Sequence, residues 1–161
     1  MYLFSKRLQL IIISMLLVVC THQNQPELLP EHLLGYQLTR KLKGPEARAF
    51  VDKIHLREVT PENNTIGFYQ KEDMPLTIYI TEYNSAGEAK KDFERMTRKI
   101  SPGNSVFING EYLEIEGRRF YRCFGMGQTH FVFHLDNRLF WISVNTIQAG
   151  NFIRDYLKII S

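Results

Sequence analysis

The stretch CFGMGQTHFVFH, residues 123–134, holds the side chains of this sequence that are best suited to chemistry. A cysteine such as Cys123 can act as a nucleophile, and histidines such as His130 and His134 can bind a metal ion or transfer protons. A Gly-x-Gly lies between them, as in dinucleotide-binding loops. Whether these groups form a site depends on the element that carries them, because positions four apart are close on a helix and distant on a strand.

The residues around the two histidines have the composition of a β-strand, with phenylalanine, valine and leucine followed by an Asp-Asn turn. On a strand, His130 and His134 share a face but lie about 13 Å apart, because each residue rises about 3.3 Å. Two nitrogens bound to one zinc ion must lie within about 4 Å of each other. We therefore expect no shared metal ion, and we expect both histidines on the less buried face of a sheet.

The other features of this stretch also favour structural roles. The Gly-x-Gly lacks the third glycine of a dinucleotide fingerprint, since His130 stands there, and it is expected to mark a bulge or a bent strand start. Cys123 lies in a strand-like run and is typical of a small buried side chain. The sequence has no Gly-x-Ser-x-Gly, His-Glu-x-x-His, phosphate loop or paired-cysteine motif, so we expect no cofactor and no catalytic residue.

Helical periodicity predicts the elements that surround this stretch. GPEARAFVDKIH has Pro45 in its first turn, where proline is tolerated. SAGEAKKDFERMTRKI begins with Ser85 as a cap and Glu88 three residues later, and its apolar residues recur at steps of three and four. A third amphipathic helix closes the chain, with an apolar face formed by Phe152, Ile153, Tyr156, Leu157 and Ile160.

Alternating segments predict strands between the helices, among them IGFYQK and PLTIYITEY. Hairpin turns are expected at Asn109-Gly110, Gly117-Arg118 and Asp136-Asn137, the last of which would set Phe133 opposite Phe140. Strands joined by tight turns are antiparallel. The predicted fold is therefore α+β, a single antiparallel meandering sheet with two to three helices packed against it.

Composition sets limits on the class of protein. The chain has 161 residues, of which 44% are hydrophobic, which suits one globular domain. Of its 20 basic side chains, Lys6 and Arg7 lie in an N-terminal leader that we expect to be removed. Without these two, the chain has 18 basic and 17 acidic residues. A nucleic-acid-binding surface needs basic residues gathered on one face, so we expect no nucleic acid partner.

The N-terminal segment has the features of a signal peptide, expected over residues 1–19. Lys6 and Arg7 form a charged start, and residues 8–19, LQLIIISMLLVV, form an apolar stretch. A membrane-spanning helix needs about 20 apolar residues, whereas the core of a signal peptide needs roughly 7–15. The polar segment that follows predicts a mature N-terminus outside the cytoplasm.

At this boundary LVVC, residues 17–20, resembles the lipobox of bacterial lipoproteins. The resemblance implies that Cys20 carries lipid and anchors the chain to a membrane of the cell envelope, on the periplasmic or extracellular side. Val19 stands where that family usually has Gly, Ala or Ser, and the alternatives are an uncleaved anchor and ordinary signal cleavage. We expect a lipidated tether over residues 20–33 and one α+β domain over residues 34–161.

Two hypotheses for the domain remain open. The stretches GPEA, KIH, GMGQTHFVF and FWIS are similar to exported bacterial proteins, a resemblance that implies no activity. The first hypothesis is a non-catalytic domain of a membrane-anchored lipoprotein that binds an envelope protein, with His55, Gln128 and His130 as the candidate ligand-binding residues. The second is a small hydrolase or metal-binding protein that uses His55, His130 and Cys123.

The leader yields a first testable prediction. Expressed with its leader in a bacterial host, the chain should take up labelled fatty acid, and Cys20→Ser should abolish the labelling, because the lipid is attached to this cysteine. The measurement is autoradiography of the purified protein, with Cys123→Ser as the matched control that keeps the label. A mature chain that begins at another residue and carries no lipid would contradict the prediction.

Overall fold

The structure is a computed structural model that describes residues 26–55, 63–100 and 106–161, without the side chains of residues 54 and 55. The expected signal peptide and Cys20 lie outside these ranges. The described chain forms an eight-stranded antiparallel sheet and three helices, so the α+β class is confirmed. In chain order the elements are β1 (His32–Leu33), β2 (Tyr36–Lys43), α1 (Pro45–His55), β3 (Asn63–Lys71), β4 (Met74–Glu82), α2 (Ala86–Ile100), β5 (Ile108–Ile115), β6 (Arg118–Gly125), β7 (Gln128–Leu135), β8 (Arg138–Asn145) and α3 (Ala149–Ile160).

The sheet consists of two meanders rather than the single one that the tight turns predicted. Its strand order is β1-β2-β3-β4-β8-β7-β6-β5, so β8, the last strand of the second meander, pairs with β4, the last strand of the first. Helix α2 carries the chain from β4 in the middle to β5 at the far edge. Its 15 residues span about 22 Å at 1.5 Å each, which is comparable to the length of an eight-residue strand at about 3.3 Å a residue, because β4 ends and β5 begins at opposite ends of the sheet.

The helices cover the two faces of the sheet. Helix α3 buries its predicted apolar face, including Phe152 and Tyr156, against a core that contains Ile78, Phe133 and Ile142. The opposite face carries α1 over β2 and β3, and α2 over β7 and β8. Alternation along each strand sends successive side chains to these two faces, so the α3 core lies on one face and the separate cores under α1 and α2 lie on the other.

The start of α2 follows the predicted capping pattern with one difference. The Ser85 hydroxyl accepts a hydrogen bond from the backbone N–H of Glu88 at 3.2 Å, as expected for an N-cap. The Glu88 carboxylate accepts one from the backbone N–H of Asn84, also at 3.2 Å, and not from Ser85 itself. The Ser85 cap is therefore confirmed. The bond from Glu88 goes to the backbone of Asn84, one residue before the one that the capping motif predicts.

The predicted hairpin at Asn109-Gly110 is wrong. Both residues lie inside β5, where the pairing with β6 shifts register between Ile108 and Glu111. Asn109 has a φ of 52°, so the positive φ that the motif predicts is found at this residue, in a bulge instead of a turn. A Cβ on Gly110 would lie 1.8 Å from the Tyr121 hydroxyl oxygen, so any other residue at this position would displace the Tyr121 ring.

The other two predicted turns are close to their expected places. The turn at Asp136-Asn137 is confirmed, with Phe133 opposite Phe140. The turn expected at Gly117-Arg118 lies one residue earlier, because Glu116 and Gly117 take the positive φ values of 50° and 73°. Glu114 therefore lies opposite Arg119, whereas a turn at Gly117-Arg118 would have set Glu116 opposite Arg119.

The folded domain begins before the expected boundary at Leu34. Leu29 and Leu33 are core residues, and the Tyr156 hydroxyl donates a hydrogen bond to the carbonyl of Leu28 at 2.8 Å. The residues expected to form the end of a tether thus close one side of the α3 core. No helix within the described ranges is long and apolar enough to cross a membrane.

The position of α2 yields a second prediction. Phe93 is buried between α2 and the sheet, whereas Lys91 is exposed on the same helix. Phe93→Ala should lower the free energy of unfolding by about 3–5 kcal/mol, because it removes a buried ring and leaves a cavity. Lys91→Ala should change it by less than about 0.5 kcal/mol. Urea denaturation of the two variants checks this, and equal effects would mean that α2 buries a different face.

Candidate functional site

The chemically suited side chains of residues 123–134 lie on the face of the sheet that α2 covers. Strands β6 and β7 pair so that Cys123 is opposite His130, and His130 is in turn opposite Ser143 of β8. Trp141, two residues before Ser143 on β8, faces the same side. We call Cys123, His130, Trp141 and Ser143, together with Phe107, the His130 cluster.

The Gly-x-Gly within this stretch forms the turn between β6 and β7. Gly125 pairs with Gln128, which leaves Met126 and Gly127 as the two turn residues. Both have positive φ, 52° and 76°, as a two-residue hairpin of this type requires. The expectation of a bulge or a bent strand start is therefore wrong.

His130 is held by hydrogen bonds at both ring nitrogens. Its Nε2 lies 2.9 Å from the carbonyl oxygen of Gly125, which can only accept, so Nε2 carries the proton. Its Nδ1 lies 2.9 Å from the Ser143 hydroxyl and 3.2 Å from Trp141 Nε1, which can only donate. Nδ1 is therefore an acceptor, and the ring is a neutral imidazole with its proton on Nε2.

Aromatic rings shield this histidine from solvent. The Phe107 ring lies over it with centroids 4.8 Å apart, and the same ring lies 5.2 Å from that of Trp141. His130 is only 1% exposed, so the expectation of a less buried face is wrong for this residue. Burial lowers the pKa of His130 below its ordinary value, although the hydrogen bond to Gly125 opposes part of that shift.

Cys123 is a packed core residue, as the sequence predicted. Its side chain is fully buried in the cluster that contains Phe93 and Val132. Burial raises the pKa of the thiol to about 11, so it stays protonated at neutral pH. Burial thus disfavours the thiolate, which is the nucleophilic form of cysteine.

His134 lies further along the same face of β7 and contacts α2. Its ring centroid is 5.7 Å from that of Phe93, and burial together with the nearby positive charge of Lys90 lowers its pKa. Its Nδ1 is buried without a hydrogen-bond partner in the described part of the chain. The described residues contain no group of three or more His, Cys, Asp or Glu side chains placed to hold a metal ion.

The three candidate ligand-binding residues do not form one described site. Gln128 lies on the His130 face of β7, but its amide nitrogen donates to the carbonyl of Pro75 on β4 at 3.0 Å. This bond ties the start of β7 to the start of β4. His55 is the last residue of α1, which packs on β2 and β3, and its side chain lies outside the described ranges. Its convergence with the other two therefore stays a prediction.

A groove of about 420 Å³ opens at the opposite end of the sheet, beside the first described residues. Strand β2 contributes Lys41 and Lys43, and the paired ends of β4 and β8 contribute Glu82 and Arg138. Glu27, from the segment before β1, closes the side near Lys41. Unlike the His130 cluster, this groove has charged side chains that face an open space.

Sequence patterns did not indicate this groove. Its residues come from separate stretches near positions 27, 41, 64, 82 and 138, and they match no motif. The segment RKLK places Lys41 and Lys43 on one face of a strand, but the polar residues around it did not predict a strand. The groove depends on the sheet order, which brings β2, β3, β4 and β8 side by side.

Comparisons with known proteins bear on the fold alone. No protein-family model matches the chain, and no curated protein does either. Among solved structures, the chain is similar to a GTP binding regulator from Thermotoga maritima, with a TM-score of 0.55. The likeness covers 80% of each chain at 13% sequence identity. At this identity the two proteins share an overall architecture, and nothing about the site follows.

The hydrogen bonds of His130 yield a third prediction. A histidine whose pKa is lowered by folding contributes stability above its unfolded pKa of about 6.5, and this stability is lost as the pH falls below that value. His130→Gln should therefore flatten the fall in unfolding free energy between about pH 6.5 and pH 5, by at most about 1.4 kcal/mol per pH unit. Urea denaturation at several pH values measures this slope. His32→Gln replaces an exposed histidine of β1 and is the matched control, and His130→Gln should change the slope more than this control does. An unchanged slope in His130→Gln would contradict the prediction.

Proposed function

We propose that this chain is an exported cell-envelope lipoprotein, anchored to a membrane through Cys20, whose α+β domain is a non-catalytic binding module. The leader and the lipobox-like LVVC support the anchor. The binding role rests on one observation: the charged side chains of the groove face open space, whereas both ring nitrogens of His130 are hydrogen-bonded to other groups of the protein. The groove is the proposed binding site.

The tether would keep this groove near the membrane. Glu27 lines the groove, and Cys20 precedes it by seven residues. An extended chain spans at most about 3.3–3.6 Å per residue, so the groove would lie within about 25 Å of the lipid. Ligands or partners at the membrane surface are thus within reach of this site.

The alternative, a small hydrolase or metal-binding protein that uses His55, His130 and Cys123, has less support. It needs a reactive thiolate and an accessible imidazole in one concave pocket. Cys123 is buried with a raised pKa, and both nitrogens of His130 are bonded to neighbouring groups. GTP, named for the Thermotoga maritima protein, is a further ligand class to test, although this sequence has no phosphate loop.

Site-specific crosslinking tests the proposed binding site and yields a fourth prediction. A photoreactive amino acid at Thr65, which lines the groove, should form an adduct in intact envelopes, because a bound molecule would lie against it. The same amino acid at Lys91, exposed on α2 over the other face, should not. Intact-protein mass spectrometry after irradiation measures the adduct and its mass. No adduct at Thr65, or equal adducts at both positions, would contradict the groove as the binding site.

A further inference from the structure

The register of the sheet gathers three positive side chains around the groove. Lys41 and Lys43 alternate on β2 and therefore share a face. Lys43 is opposite Thr65 of β3, which is opposite Ile80 of β4. Arg138 of β8 is opposite Glu82 of β4, which lies two residues beyond Ile80 toward the end of β4. Long side chains from β2 and β8 can thus approach each other above Thr65 and Ile80.

Two of these cations have carboxylate partners that hold them loosely. Lys41 Nζ lies 3.4 Å from Glu27 Oε1, and Arg138 Nε lies 3.3 Å from Glu82 Oε1. Charge-assisted hydrogen bonds are shorter, about 2.7–2.9 Å. The Glu27 and Glu82 side chains are 65% and 44% exposed, so they can turn outward without a burial cost. A ligand could replace them.

Arg138 and Lys43 have hydrogen-bond donors that can bind a ligand. Arg138 uses only Nε toward Glu82, and its two terminal nitrogens have no partner within the described ranges. Lys43 has no carboxylate partner there either, so the groove carries one positive charge that no described side chain neutralises. The Asn63 amide and the Thr65 hydroxyl, which also line the groove, can donate further hydrogen bonds.

One side of the groove is apolar. Leu28 is half-buried there, and the buried side chains of Leu29 and Ile80 lie behind it as part of the α3 core. The volume of about 420 Å³ is within the range of small-molecule sites, about 300–1,000 Å³. The groove therefore offers a short apolar surface next to an excess of positive charge.

We propose that the groove binds a ligand with one negative charge joined to a short apolar chain. Lys43 and the terminal nitrogens of Arg138 hold the charged group, and the apolar chain lies against Leu28. A single charge matches the single uncompensated cation of the lining. A free carboxylate and the phosphodiester of a membrane lipid share this chemistry. This inference rests on the proposed function, because it takes the groove as the binding site.

Calorimetric titration of the full chain, purified in nonionic detergent, tests this ligand class with hexanoate as the probe. Hexanoate should bind, and hexanol, its uncharged match, should not. Lys43→Gln should raise the Kd for hexanoate about tenfold or more, on the order expected when a hydrogen bond to a charged group is lost. Lys43→Arg should keep binding because it keeps the charge. Lys91→Gln, an exposed lysine on α2, is the matched control and should leave the Kd unchanged.

A second titration with dibutyl phosphate distinguishes the two sources of the ligand. Tighter binding of hexanoate supports a free carboxylate, and tighter binding of dibutyl phosphate supports a lipid headgroup. The proposal is overturned if neither probe binds more tightly than hexanol, or if Lys43→Gln has no more effect than Lys91→Gln. A crosslink at Thr65 together with failed titrations would reject the ligand class and keep the groove as the binding site.

Discussion

The pairing of β4 with β8 is the constraint on which the rest of the structure depends. These strands are distant in sequence, and they meet because α2 carries the chain to the far edge and the second meander returns to the centre. Ile78 lies opposite Ile142 at the middle of the α3 core. The same pairing places Trp141 beside His130 and sets Glu82 opposite Arg138. One strand pair thus positions the core, the His130 cluster and the groove.

The two polar regions of the molecule differ in how their hydrogen-bonding groups are used. In the His130 cluster, each ring nitrogen has a protein partner at 2.9 Å, which offsets the cost of burying a polar ring. Because both ring nitrogens are used in these bonds, the imidazole is not available to bind a ligand or to exchange a proton with it. In the groove, the ion pairs are long and exposed, so a ligand that displaces a carboxylate loses little stabilisation. The hydrogen-bonded histidine and the proposed binding groove therefore lie at opposite ends of the sheet.

Local patterns predicted much of the fold. The three helices follow from apolar periodicity and from Ser85, and the β7–β8 turn follows from Asp136-Asn137. Positive φ occurs both in bulges and in hairpin turns, so residues that tolerate it did not predict which of the two forms. Asn109 has positive φ in a bulge, and Met126 has it in a hairpin turn. Strand β2 was not predicted because the polar residues at positions 39–41 interrupt its apolar positions. Leu29 and Leu33 were taken as tether because their partner, α3, is more than a hundred residues away.

The candidate sites were harder to predict than the elements. Alternation placed His130 and His134 on one face, but the cover over that face comes from Phe107 and α2, which no strand pattern reveals. The groove brings together Glu27, Lys43 and Arg138 from three distant stretches, and only the strand order makes them neighbours. Long-range pairing, and not local propensity, decides which side chains share a site.

The central claim is that the His130 cluster is structural, and the protonation state of this ring tests it most directly. Nitrogen-15 NMR of the histidine side chains reports which ring nitrogen carries the proton and at which pH the ring becomes charged. We expect a neutral His130 with its proton on Nε2, and we expect this form to persist as the pH is lowered below about 6.5, the ordinary pKa of histidine. A ring that titrates near that value, or that carries its proton on Nδ1, would contradict the account and return this cluster to the centre of function.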